Sequence, residues 1–346
     1  YVMPTAINKK ISIKLRKNGS TTDCKVYSLN NNETLLFSLN NIVKSAVNWE
    51  NYILGVLHEL LKKTSDVSGF DCIIQSDLPI GAGLSSSAAL ECGLATGLNS
   101  LFDLGLSKSD IVKLSRAAEH NFVGTKCGIM DQYASVMSKK GFIIMLDCQS
   151  LVSKFIPLNL SDYKLLLLNT NISHSLADSE YNIRLQECTI ALKIVQKKHS
   201  HVQSLRDITR NMLFEVKEEL DGKIYNRCEY ILEENERVIA ASEALQKNNL
   251  HKLGNLMYGS HNGLQIKYEV SCQELDFLVD YSKSKEYILG SRMMGGGFGG
   301  CTINLIHQDF IPSYINEVSI AYRAEFKIEL DAYVAMPCSG TKIKTF

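Results

Sequence analysis

PIGAGLSSSAALECGL, residues 79–94, sets two glycines and three consecutive serines between two apolar runs. FDCIIQSDLP (70–79) reads as a strand and the run from Ala88 to Leu101 as a helix, so the bare backbone falls where a strand becomes a helix. Glycine lets the chain take positive φ and come close to a ligand, because no Cβ stands in the way. Just before a helix, such residues let unpaired amides converge on an anion, and the helix dipole assists. The serine hydroxyls add neutral donors for phosphate oxygens and a lone pair for a bridging metal. Gly81-x-Gly83 lacks the third glycine of the dinucleotide fingerprint, and no G-x-x-x-x-G-K-[ST] occurs. A Gly-Ser turn capping a core helix therefore stands beside the phosphate cradle as a reading of this stretch.

Outward from that motif the chain reads as mixed strands and helices. ISIKL, KVYSL and TLLFSL are strands broken by polar KNGSTTD and NNNE, and VNWENYILGVLHELLK (47–62) has helical spacing. Beyond the motif, a helix opens at Ser107 with Asp110 completing a capping-box pattern, and another spans Met130–Met137. GFIIMLDC and YKLLLLNTN read as buried strands, and a long helix covers about Asp178–His199. Near Leu165 the pattern turns to long helices such as ENERVIAASEALQKNN, which places a domain boundary there: residues 1–165 and 166–346. A second capping box, Ser271 with Glu274, opens the helix ELDFLVDYSKS, and SRMMGGGFGGCTINLI follows as a Gly-rich turn feeding a strand. YVMPTAINKKISIKL reads as a strand in mid-sheet, so the natural start is expected upstream of Tyr1.

Composition narrows the function. A chain of 346 residues is long enough for two ordinary domains. Lys+Arg and Asp+Glu balance at 37 each, which removes the footprint of a nucleic-acid or membrane-surface binder. No apolar run approaches the roughly 20 residues of a membrane helix. Ten cysteines lack any C-x-x-C pair or zinc spacing, and read as reduced thiols of a cytoplasmic protein.

Three further features bear on the chemistry. Asp131, in CGIMDQY, is a carboxylate at the start of a helix among apolar neighbours; a helix-dipole acid is the plain alternative. Glu119, in SRAAEHNFVG, is either an ordinary exposed acid or partner of His120, or a functional one. GGGFGG (295–300) is a tight turn, or a second close approach of backbone to ligand or to the first loop.

PIGAGLSSSAALE, AEHNFVGTKCGIMDQYAS and GSRMMGGGFGGCTINL together closely resemble the GHMP kinases, and among them the galactokinases. VNWENYILGV, NTNISHSLADSEYNIRLQEC and LMYGSHNGLQIKYEVSCQELDFLV extend that resemblance over nearly the whole chain. It implies an α+β fold of two domains, ribosomal S5 domain 2-like and then ferredoxin-like, with the active site in the cleft between them. It implies that Gly81, Ala82, Gly83, Leu84, Ser85, Ser86 and Ser87 wrap the ATP phosphates, and that Ser87 and Glu119 hold Mg²⁺. Trp49 and Tyr52 match an aromatic pair near the adenine, although core packing suits Trp49 equally. Asp131 matches the acid at the sugar C1 hydroxyl, and Gly128 and Tyr181 match sugar contacts. His120 and His174 are expected to be structural hydrogen-bonders, since phosphoryl transfer already has its base.

The implied reaction is ATP-dependent phosphorylation of D-galactose at C1 by a monomer, with no nucleic-acid or membrane partner. A hydroxyl is a poor nucleophile at neutral pH, so a carboxylate within hydrogen-bond reach can orient it and take its proton. Galactokinases carry an arginine and a Glu-His-Thr-Asp run upstream of the segment matching YVMPTAI, expected here before Tyr1. Some also have an arginine where Ser173 stands. A kinase for N-acetylgalactosamine or another C1 hydroxyl sugar is the rival within the class. A non-catalytic sensor of ATP and galactose is the rival outside it; the complete SSSAA favours catalysis.

Overall fold

A computed structural model describes residues 1–79, 82–173 and 177–345, without the side chains of residues 173, 177–179 and 181. The chain divides into two compact units: Pro4–Ile80 with Ser85–Phe155 and Pro337–Phe346, and Ile156–Met336 with Tyr1–Met3 and Gly81–Leu84.

In the first unit, β1 (Ala6–Ile7) pairs antiparallel with the C-terminal β12 (Pro337–Cys338). The opening residues are thus not one continuous strand. β2 (Ile11–Lys17), β3 (Asp23–Ser28), β4 (Glu33–Ser38) and β5 (Phe70–Ser76) form a sheet in the order β2-β5-β3-β4, with β3 and β5 parallel. Alternation is visible in β3, where Cys24, Val26 and Ser28 are buried and Lys25 is exposed. Four helices complete the layer: α1 (Asn48–Leu61), α2 (Ser86–Phe102), α3 (Lys108–Ala118) and α4 (Met130–Met137). Ile53, Leu57, Leu94, Leu98 and Leu114 from the helices and Phe70 from β5 are fully buried. The capping box at α3 forms: Ser107 Oγ accepts from Asp110 N at 3.1 Å and Asp110 Oδ2 accepts from Ser107 N at 3.1 Å. β6 (Phe142–Leu146) and β7 (Ser153–Pro157) form a two-stranded sheet.

The second unit is built on an antiparallel sheet of β8 (Tyr163–Ser173), β9 (Ile288–Met293), β10 (Gly299–His307) and β11 (Asp331–Ala335), in the order β11-β8-β10-β9. Its helices are α5 (Ala177–Lys198), α6 (Arg210–Glu215), α7 (Gly222–Gln246), α8 (Leu250–Ile266), α9 (Gln273–Lys283) and α10 (Ile311–Phe326). Leu166 and Leu168 of β8, Leu278 of α9 and Tyr314, Val318 and Tyr322 of α10 make one core. The expected capping box at Ser271 and Glu274 is absent: Cys272 is the N-cap residue, and the Ser271 hydroxyl donates instead to Asp276 Oδ1 at 2.5 Å. Arg184 of α5 donates to the carbonyls of Tyr268 and Glu269, at 3.0 and 2.8 Å. The next carbonyl, of Val270, accepts from Phe298 N at 2.8 Å, which ties the second Gly-rich loop to this frame. No helix among the described residues is long and apolar enough to cross a membrane.

α8 lies directly on β9 because neither carries a side chain at the crossing: a Cβ on Gly254 would stand 1.9 Å from the Leu289 carbonyl oxygen. Gly254→Ala must push the helix and strand backbones apart, and is expected to cost about 1–3 kcal/mol or more, as overpacked sites do. Gly259→Ala, on the same helix as Gly254, whose Cβ would meet only Arg237 Cδ of α7 at 3.8 Å, is expected to be neutral or stabilising by about 0.5–1 kcal/mol. Urea midpoints of the two variants check this, and equal midpoints would refute it.

Candidate functional site

β5 precedes and α2 begins within the quoted stretch, and its Gly83 meets the second loop. Gly83 takes φ +68°, and within the second unit Gly300, at φ +81°, packs so tightly that its Cβ would lie 3.2 Å from the Ala82 carbonyl oxygen. A Cβ on Gly295 would lie 3.4 Å from the Gly83 carbonyl oxygen. Of the two readings of GGGFGG, the backbone approach to the first loop is therefore the one found. Thr170 Oγ1 holds this contact from β8 by donating to the Gly300 carbonyl at 2.8 Å, and Met294 N donates to the Cys301 carbonyl at 2.9 Å. Gly81 lies outside the described residues. Ala82 is buried, Leu84 half-buried and Ser86 exposed.

At Ser85 the chain adopts the left-handed conformation, φ 55° and ψ 46°, as the N-cap residue of α2. That turn is uncommon for a residue with a Cβ. It sets the Ser85 hydroxyl against the carboxylate of Asp131, the second residue of α4. Asp131 is half-buried, and burial raises its proton affinity while the Ser85 hydrogen bond lowers it; burial prevails.

Glu119 is neither an exposed acid nor the partner of His120. α3 ends at Ala118, and one π-helical turn over Glu119–Val123 follows, closed by Gly124 N donating to the Glu119 carbonyl at 2.9 Å. The Glu119 side chain is 6% exposed. Oε1 accepts from Ser87 Oγ at 3.3 Å, and Oε2 accepts from Gln132 Nε2 at 2.8 Å and from Cys127 Sγ at 3.3 Å. Burial raises the Glu119 pKa; those hydrogen bonds pull it down and the nearby Asp131 charge pushes it up. Burial and the Glu119 charge hold Cys127 as a thiol, pushed up to about 12. His120 bonds the Cys127 carbonyl through Nε2 at 2.6 Å, the structural role expected of it.

Ser85, Ser87, Glu119 and Asp131 thus converge in the first unit, and Ala82 and Gly83 meet the second loop in the other. Trp49 is not a core residue: it is half-buried on α1 and its Nε1 donates to Glu33 Oε2 at 2.6 Å. Tyr52, three residues on, is also half-buried. Gly128 has open space where its Cβ would be. Tyr181 lies on α5 with its side chain outside the described residues, as does His174 entirely. The sequence reading missed Gln132, Cys127 and Glu91, all grouped around Glu119; a carboxylate four residues after Ser87 in an apolar helix was the available signal for Glu91.

No lysine, arginine or histidine forms an ion pair with Glu119 or Asp131 among the described residues. An acid that burial disfavours, beside a serine oxygen 3.3 Å away, is a donor set of hard oxygens that suits Mg²⁺. Among the described residues no three His, Cys, Asp or Glu side chains gather as a metal site. Mg²⁺ takes only one or two protein ligands and fills its octahedron with water and phosphate oxygens.

Residues 51–139 match the GHMP kinases N terminal domain and residues 241–320 the GHMP kinases C terminal domain. A galactokinase of Thermosipho africanus is 42% identical over 345 residues, covering 99% of this chain and 94% of that protein. The chain belongs to the galactokinase family of the GHMP kinases. A family member from Thermotoga maritima is 41% identical over 95% of this chain and 90% of its own length. The crystal structure of Lactococcus lactis galactokinase complexed with galactose superposes with a TM-score of 0.93 at 31% identity, covering 98% of this chain and 88% of that one. A mevalonate kinase, at TM-score 0.63 and 20% identity, shares the fold. ATP is the co-substrate that family membership implies.

Because the folded state raises the Asp131 pKa, its ionised form is the disfavoured one. The resulting loss of stability is complete above the folded value and absent below the ordinary 3.8. Asp131→Asn is therefore expected to melt higher than wild type at pH 7, at about 2–4 °C for each 1 kcal/mol relieved. The gain should vanish as pH falls toward 4. Thermal melts across that range check it, and a variant less stable at pH 7 would contradict it.

Proposed function

We propose that this chain transfers the γ-phosphoryl group of ATP to the C1 hydroxyl of D-galactose, releasing galactose 1-phosphate, ADP and a proton. The observation that carries the reading is the convergence of Asp131 with Ser85 at the head of α2, beside the Ser87–Glu119 oxygen pair. The likeness to a structure described as a galactokinase complexed with galactose supports the choice of sugar.

In this reading residues 1–165 form the domain with the phosphate loop and the acid, and residues 166–346 the domain with the second Gly-rich loop. Backbone amides and hydroxyls from Gly81 to Ser87 receive the phosphates, and the Gly300 contact holds their backbone in place. Ser87 and Glu119 hold Mg²⁺, which offsets charge on the β- and γ-phosphates when bound. Asp131 orients the sugar hydroxyl and accepts its proton as the bond to phosphorus forms. A proton affinity raised by burial suits that task. Gly128 and Tyr181 contact the sugar, and Trp49 and Tyr52 lie near the adenine. Positioning and electrostatics suffice for in-line transfer, so no covalent enzyme intermediate is invoked. Ten unpaired cysteines, five of them buried, suit a reducing cytoplasm, where we expect the protein to act as a monomer.

A coupled ADP-release assay across a sugar panel tests the reading. Galactose should be the preferred acceptor, and Asp131→Ala should lower kcat by about 10²–10⁴ with little change in the KM for ATP, the range for loss of a general base. Glu119→Gln should instead raise the Mg²⁺ concentration needed for half-maximal rate. Preference for N-acetylgalactosamine would reject the substrate, and undiminished turnover in Asp131→Ala would reject the mechanism.

A further inference from the structure

Gly254 brings α8 down onto the backbone of β9 at Leu289, and seven residues on, on the same face of the helix, stands His261. β9 is an edge strand, and its outward amides need acceptors from outside the sheet. His261 meets that need at the strand's last residue: Nδ1 accepts from Met293 N at 3.3 Å. The imidazole is 1% exposed. A backbone amide can only donate, so Nδ1 presents a lone pair, and a neutral ring then carries its proton on Nε2. Nε2 has no aligned hydrogen bond among the described residues, but it lies 3.3 Å from Asp276 Oδ1 of α9. The Ser271 hydroxyl donates to the same oxygen at 2.5 Å. A carboxylate on the Nε2 side and an amide hydrogen on the Nδ1 side thus ask for the same tautomer. A proton on Nδ1 would set one N–H against another at Met293.

The residue after Met293 opens the segment that meets the first loop. A Cβ on Gly83 would lie 3.9 Å from the Met294 carbonyl oxygen, and one on Gly295 would lie 3.4 Å from the Gly83 carbonyl oxygen. The far end of the segment is tied as well, by Phe298 N donating to the Val270 carbonyl at 2.8 Å. Both ties come from α8 and the turn between α8 and α9, one through a side chain and one through backbone. We propose that His261 is a positioning residue: a neutral imidazole with its proton on Nε2 beside Asp276, whose Nδ1 holds the Met293 amide and so fixes where the Gly-rich segment enters its contact with Gly83. The consequence for nucleotide binding rests on the reading of residues 81–87 as the phosphate loop; the tautomer does not.

The tautomer is read from ¹H–¹⁵N correlations of the ring in nucleotide-free, ¹⁵N-labelled wild type at pH 7, assigned through the backbone of His261. Nδ1 should show the shift of an unprotonated nitrogen and Nε2 that of a protonated one. A proton on Nδ1, in the other tautomer or in the imidazolium, overturns the proposal whether or not the protein is a kinase. Positioning is read as the Kd for Mg·ADP by calorimetry, alongside the KM for galactose in the ADP-release assay. His261→Asn keeps an acceptor, its amide oxygen standing near the place of Nδ1, and His261→Leu keeps the bulk without one. His261→Leu should weaken Mg·ADP about tenfold, the scale on which a buried amide loses its acceptor, and His261→Asn less than about threefold. The KM for galactose should hold in both. A wild-type Kd in His261→Leu, or equal weakening in the two variants, overturns the positioning role. A matching rise in the KM for galactose overturns it too, since a generally loosened fold would move both. The ring spectrum decides even if His261→Leu does not fold. If no sugar is phosphorylated at all, the tautomer and the Mg·ADP Kd still decide, and only the proposed function falls.

Discussion

The hydrogen bonds to the Glu119 carboxylate are the constraint on which the first unit's functional end depends. Its three side-chain donors come from three places in the chain: Ser87 on α2, Cys127 in the loop after the π-helical turn, and Gln132 on α4. Each bond to a charged group is worth about 1.5–3 kcal/mol, against a desolvation cost of several kcal/mol for one buried ion. The raised pKa shows which side prevails: the donors do not fully offset burial. A cation beside Ser87 would close that gap, and no side chain supplies one among the described residues. The wide turn at Glu119–Val123 has a reason in this light. Such turns insert an extra residue into a helix and recur at functional sites, and here one stands at the acid that three segments must reach.

The second unit is held differently, with backbone in place of side chain. Gly83, Gly295 and Gly300 all take positive φ, and the missing Cβ atoms are what let the two loops approach. The contact is kept by the Thr170 hydroxyl on the Gly300 carbonyl and by the Phe298 amide on the Val270 carbonyl, which links it through successive carbonyls to Arg184. Rigid strands and a buried guanidinium thus support a loop whose one large side chain, Phe298, packs against the core of Tyr230, Leu264, Val270, Leu275 and Met293.

Much of this was legible in the sequence, because strand, glycine turn and helix each leave a local mark. β5 and α2 form on either side of the Gly-Ser stretch as read, the strand ending at Ser76, and the Ser107–Asp110 pattern becomes a capping box. Ser271–Glu274 has the same spacing and does not, because the helix starts one residue later and Asp276 captures the hydroxyl. Spacing alone carries no register. Glu119 was legible as a candidate but not as a buried acid, since SRAAEHNFV keeps an α-helical periodicity through the residue where the helix changes type. Gln132 was illegible for a deeper reason. Its partner Glu119 lies 13 residues away on another element, and Gln132 looks like an ordinary polar residue until the fold removes water from it.

Proton affinity separates the acids that hold the fold from those that oppose it. Asp71 is pulled below the usual carboxylate range by hydrogen bonds from Arg16 and Asn18. Burial pushes Asp276 up, yet His261 and Ser271 bring it below that range. Asp110 is lowered by the Ser107 hydroxyl and amide of its capping box. Each of these carboxylates gains stability by being ionised. Glu119, Asp131 and Glu91 all shift the other way, with burial as the first cause and no cation beside them among the described residues. Three acids that each oppose folding when charged, gathered on α2, the end of α3 and α4, make poor sense as scaffolding. An apolar side chain or an amide would serve stability better at every one of these positions. Their common direction therefore argues for chemistry done at this end of the unit, and it does so independently of the glycine loop.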